Sequence, residues 1–179
     1  MRTVARVAAR AAAALVGVLV VPLAVAAPSS AAVPAPEAWQ PYPEGPLTLP
    51  AADYCGGFAL RSTPVRQAVE SRVLDRYSSG GIRVEQFRGL LLVDVTNLTT
   101  GATVRRDLSG RALVTYRRDG SIITYAMAGP VGLGWPQQDA YDCGFYVMDG
   151  VHVVSFDASG ARRMVLDLGT EENLCDVVG

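Results

Sequence analysis

The chain has 179 residues with 16 basic and 17 acidic side chains, a formal net charge of −1, and all of its basic residues are arginines. That balance gives no basic excess, so nucleic acid is not an expected partner. The cysteines at 55, 143 and 175 lack the CxxC or CxxH spacing of a structural zinc module or a thioredoxin-type redox motif.

In chain order, the first element is an export signal. Arg2, Arg6 and Arg10 form a positive start without acidic residues, Ala11 to Val21 is an unbroken small or apolar run, and Pro22 interrupts it. Small residues at −3 and −1 in Ala24-Val25-Ala26 place cleavage after residue 26, and Ser30-Ala31-Ala32 is a second acceptable site. The apolar run falls short of the ~20 residues of a spanning helix, so no stable membrane span is expected after cleavage. The expected location is extracellular. Removing three arginines leaves 13 − 17 = −4.

Residues 27–52 hold seven prolines, Pro28, Pro34, Pro36, Pro41, Pro43, Pro46 and Pro50, and read as an extended linker that can form neither helix nor central strand. A single β domain then spans 53–179. Val65, Val69, Val73 and Tyr77 recur every fourth residue and fit a strand or a helix; β-branched residues and the following Gly80-Gly81 favour strand. Further β-favouring runs are Leu90 to Asn97, Thr103 to Leu108, Ala112 to Arg117, Ser121 to Met127, Gly144 to Met148, Val151 to Phe156 and Ala161 to Leu168. Turn signals separate them, among them Asp119-Gly120 and Asp149-Gly150, the pairing that type I′ hairpins prefer because both central residues need positive φ. The expected fold is all-β, an antiparallel meander forming a sandwich or partly closed barrel of about eight strands.

Several landmarks coincide in order: Cys55-Gly56-Gly57-Phe58, the segment Val95 to Val104, Ser109-Gly110, Asp119 to Ser121, Gly129-Pro130 and Cys175-Asp176-Val177-Val178. With these the chain resembles a group of small secreted all-β proteins of actinobacteria to which no activity is assigned. The resemblance implies fold and export, and supplies no substrate, cofactor or catalytic residue. Spacing alone leaves three disulfide pairings open. The resemblance matches Cys55 and Cys175 as the disulfide and leaves Cys143 as a free thiol.

Chemistry-bearing residues are sparse. His152 is the chain's one histidine and shares a strand face with Val154 and Phe156, which suits a structural role without a metal. There is no Gly-x-Ser-x-Gly elbow, and a Cys143–His152 nucleophile pair is disfavoured in an oxidising compartment. Asp139, Asp142, Gln137 and Gln138 offer oxygen ligands without an EF-hand spacing. The stretch from Gly129 to Tyr141 is the longest between confident strands and, with Trp135, Tyr141, Gln137 and Gln138, is the expected binding loop. No cofactor is expected. The preferred reading is a non-catalytic extracellular recognition domain or small-ligand carrier with an unknown partner; the competing reading is a secreted hydrolase using a carboxylate pair. A large apolar pocket favours the carrier, and convergent carboxylates in a polar cleft favour the enzyme.

Overall fold

The computed structural model describes residues 35–137, 139 and 141–179. The expected signal sequence, the start of the Pro-rich segment, Gln138 and Ala140 lie outside the described residues. Ten strands form one antiparallel sheet that does not close into a barrel: β1 (Gln40–Pro41), β2 (Leu47–Leu49), β3 (Leu60–Arg76), β4 (Ile82–Asn97), β5 (Thr103–Asp107), β6 (Arg111–Tyr116), β7 (Ile122–Ala128), β8 (Val131–Trp135), β9 (Gly144–Phe156) and β10 (Arg162–Asn173). A short helix, α1 (Leu174–Val178), ends the chain. The all-β meander expected from the sequence is thus present, and the ambiguous segment around Val65 to Tyr77 is strand.

The strand count exceeds eight because short strands share the edges of long ones. β1 and β2 lie end to end along β3, β5 and β6 along β4, and β7 and β8 along β9. β6 pairs with β7, whereas β5 and β8 each pair only with their long neighbour among the described strands. The sheet therefore forks. One branch is β2-β3-β4-β5 and the other is β8-β9-β10, with the main apolar core between them. That core holds Leu49, Leu60, Val93 and Val95 from the first branch, Phe145 from the second, and Leu174, Cys175 and Val178 from α1.

Glycines sit where the long strands change partner. Gly89 in β4 has φ +134°, and Gly150 in β9 has φ +138°. A Cβ at either would lie 2.1 Å from the Ala68 carbonyl oxygen or 2.2 Å from that of Leu168, so no other residue fits this close approach. This corrects one expected turn. Asp149-Gly150 is not a hairpin but the middle of β9, whereas Asp119-Gly120 does join β6 to β7.

Two further differences concern boundaries. The sheet begins before Asp53, because Gln40–Pro41 and Leu47–Leu49 pair with β3 as edge strands, where a proline's missing N–H is tolerated. The expected loop from Gly129 to Tyr141 is half strand. Val131, Leu133 and Trp135 turn one way, and Gly132 and Gly134 leave room for the Phe145 and Tyr54 rings on the other. Burial on both faces removed the polar alternation by which a strand is recognised.

Cys55 and Cys175 form a disulfide across 120 positions, with Cα atoms 5.5 Å apart, and Cys143 is a half-buried free thiol. The bridge ties the segment entering β3 to α1. Asn97 adds a second tie: its amide donates to the Val178 carbonyl at 3.0 Å while its oxygen accepts from Thr99 N at 2.8 Å, closing the β4–β5 turn. Among the described residues, no helix is long and apolar enough to cross a membrane.

Candidate functional site

Below the fork, the faces of β3, β4, β6 and β7 line a cavity of about 320 Å³ that is open to solvent on one side. Strand alternation explains its walls. Phe87, Leu91 and Val93 point inward from β4, Ala112 and Val114 from β6, and Tyr125 from β7, with Leu108 and Phe145 closing the end toward the core. The size matches the lower range of small-molecule sites.

The Pro-rich segment forms one wall as a strap. Tyr42 N donates to the Val69 carbonyl at 2.8 Å, and Glu44 exchanges two hydrogen bonds with the Gln67 side chain, its N donating at 2.7 Å and its carbonyl accepting at 2.9 Å. Tyr42 packs edge-on against Phe87 with centroids 5.1 Å apart. Trp39 lies between the Arg72 and Arg88 guanidinium groups at 4.5 and 3.9 Å.

Polar residues also line this space: Tyr42, Ser62, Arg88 and Arg111 beside Glu44, Tyr116 and Tyr125. The Tyr116 hydroxyl donates to Glu85 at 3.1 Å, and burial with that carboxylate pushes its ionisation well above the usual phenol range. Tyr125 is pushed up to about 12, chiefly by burial and then by the Glu44 charge. It remains a neutral donor at physiological pH. Partial desolvation likewise raises Glu44 above the ordinary carboxylate value. Neither the Tyr125 hydroxyl nor the Glu44 carboxyl makes a hydrogen bond to another described residue, so both are free to meet a ligand. Glu44 is the one carboxylate among the lining residues, and two-carboxylate chemistry is not assembled there.

The residues singled out in the sequence lie elsewhere. Trp135 is wholly buried at the end of β8, in a second apolar cluster with Met127, Val131, Leu133, Tyr146, Met148 and Val154. It stacks on Tyr141 with centroids 4.6 Å apart. Gln137 is exposed, and its N donates to the Asp53 carbonyl at 2.7 Å. The Asp139 side chain is 1% exposed and accepts from Arg162 N at 2.9 Å. Arg105 bridges Asp94, and Arg106 holds Glu172.

His152 is fully buried beside Val154, as its strand context implied. What the sequence did not reveal is its company. Asp167 lies opposite it on β10, Oδ1 3.0 Å from Nδ1, and Glu171 is close enough that one ligand atom from each of the three lies within 4.8 Å of the others. Compared with family models, with curated proteins and with solved structures, the chain matches none of them.

Proposed function

We propose that this chain is an exported, non-catalytic carrier that holds a small, mainly apolar molecule in the cavity below the fork. The cavity itself carries the reading: about 320 Å³ bounded by Phe87, Leu91, Val93, Ala112 and Val114, with the Tyr125 hydroxyl and the Glu44 carboxyl unengaged at its polar end. Such a space suits a mainly apolar ligand that also carries a polar group, since Arg88 and Arg111 line it alongside Glu44 and Tyr125. Export is supported by the arginine-led apolar start and by a disulfide, which persists in oxidising compartments. The resemblance to small secreted actinobacterial β proteins points the same way.

Titration with N-phenyl-1-naphthylamine, an uncharged apolar fluorophore, tests the reading. Saturable binding of one molecule per chain is expected. Ala112→Phe places a ring in the cavity and should weaken binding at least tenfold while costing about 1 to 3 kcal/mol of stability, as inserted core volume does. Binding that survives Ala112→Phe, or never saturates, would reject the carrier.

A further inference from the structure

We infer that His152, Asp167 and Glu171 form a binding site for a borderline first-row divalent cation, with zinc as its probe. This departs from the metal-free histidine that the sequence suggested, and it is independent of the cavity. The three residues belong to adjacent strands: His152 pairs with Asp167 across β9 and β10, and Glu171 lies on the same face four residues along β10. One donor atom from each falls within 4.8 Å of the other two, and His152 Nδ1 is 3.0 Å from Asp167 Oδ1. Metal bonds of about 2.0 to 2.2 Å at tetrahedral angles put ligands roughly 3.3 to 3.6 Å apart, so the His152–Asp167 pair is already near that separation and the wider donor pairs close by up to about 1.3 Å around an ion.

The second observation is unsatisfied polarity. His152 is 0% exposed; its Nδ1 faces Asp167 Oδ1 at 3.0 Å without the alignment of a hydrogen bond, its Nε2 has no partner, and Glu171 Oε1 is also buried without one. Buried polar atoms are nearly always paired, and an uncompensated buried carboxylate is costly. Arginine does not supply the compensation, because among the described residues neither Asp167 nor Glu171 forms a salt bridge with one. Two carboxylates meet at this cluster without an arginine, and a divalent cation would offset their charge.

The surroundings fit an ion as well. The Tyr141 hydroxyl donates to Glu171 Oε2, fixing that carboxylate and leaving Oε1 for the cluster, in the manner of the outer partners that orient metal ligands. Tyr141 is itself held by its stack on Trp135. The Asp167 side chain is 47% exposed, which gives an entry path from solvent. A nitrogen and two oxygens suit zinc and its first-row neighbours better than calcium, which prefers six to eight oxygens.

The test is calorimetric titration of the chelator-treated, disulfide-intact protein with Zn²⁺, and visible absorption after titration with Co²⁺. One equivalent of Zn²⁺ should bind, and Co²⁺ should give ligand-field bands. Asp167→Asn and Glu171→Gln, both at the open side of the site, should each weaken Zn²⁺ at least tenfold and abolish the Co²⁺ bands. Cys143→Ser and Asp142→Asn should leave both readouts unchanged. Absence of saturable binding, unchanged affinity in either carboxylate variant, or loss of binding in Cys143→Ser would each overturn the site and leave His152 and Asp167 as a structural pair.

Discussion

Trp135 shows how a residue's identity can be read without its role. Its size fitted either a contact residue in a loop or a plug of the apolar core, and it ends β8 with no exposed surface, stacked on Tyr141 and packed with Leu133 and Met148. Trp135→Ala should therefore cost about 3 to 5 kcal/mol, the range for large-to-small core changes. A urea melt checks this, and a loss within roughly 0.5 kcal/mol would return the residue to the surface. His152 was legible as a buried strand residue because Val154 and Phe156 share its alternation. Asp167 was not legible as its neighbour. Counting back from the Asp157 to Gly160 turn, Phe156 faces Arg162 and Val154 faces Met164, which would set Leu166 opposite His152. A bulge at Val165 advances β10 by one and brings Asp167 there instead. Nothing in the local residue pattern announces that extra residue.

At the level of elements, the hairpins were readable and the partner switches were not. Asp119-Gly120 and Asp149-Gly150 carry the same turn chemistry, but only the first is a turn. The difference lies in tertiary context: β10 runs past Gly150 so closely that the glycine is needed for space as well as for backbone angle. Two substitutions separate these demands. Gly120→Ala, with φ +86° and open space around it, should cost about 1 kcal/mol, a left-handed penalty alone. Gly150→Ala should cost more than about 3 kcal/mol, because its Cβ would also meet the Leu168 carbonyl. Equal losses in the two variants would show that β9 does not bend around that contact. The fork has its own tie, since Arg106 on β5 holds Glu172 on β10 through two hydrogen bonds of 2.6 Å. Hydrogen bonding to Arg106 lowers the Glu172 pKa below its ordinary 4.5. A depressed carboxylate stabilises the fold above its unfolded pKa, and that contribution fades as pH falls through 4.5 and below. Denaturant melts of Glu172→Gln and the parent should therefore differ at pH 7 and draw together as pH falls below 4.5. The difference should shrink in high salt, since the pair is solvent-facing.

For the whole molecule, the disulfide, the strap and the cavity belong to one arrangement. The Cys55–Cys175 bridge closes a loop of 120 positions, worth about 5 kcal/mol in the loop-entropy account. Replacing both cysteines by alanine should cost about 2 to 5 kcal/mol, read from denaturant midpoints. A smaller loss would mean that α1 is held mainly by Leu174, Val178 and Asn97. Composition and turn spacing made the meander legible. The cavity was invisible, because it depends on β6 and β7 lying side by side while β5 and β8 part, a consequence of where β4 and β9 change neighbours. The strap was hidden by its prolines, which announce extended chain without naming the strand they lie against. The central claim is that the space under that strap receives a ligand. Methyl-resolved NMR of the protein titrated with N-phenyl-1-naphthylamine tests it most directly. The account predicts saturable shifts confined to Leu91, Val93, Ala112, Val114 and Ile122, with Leu166 and Leu168 on the exposed edge strand unmoved. Shifts centred on Val165, Leu166 and Leu168, or none at any methyl, would contradict it.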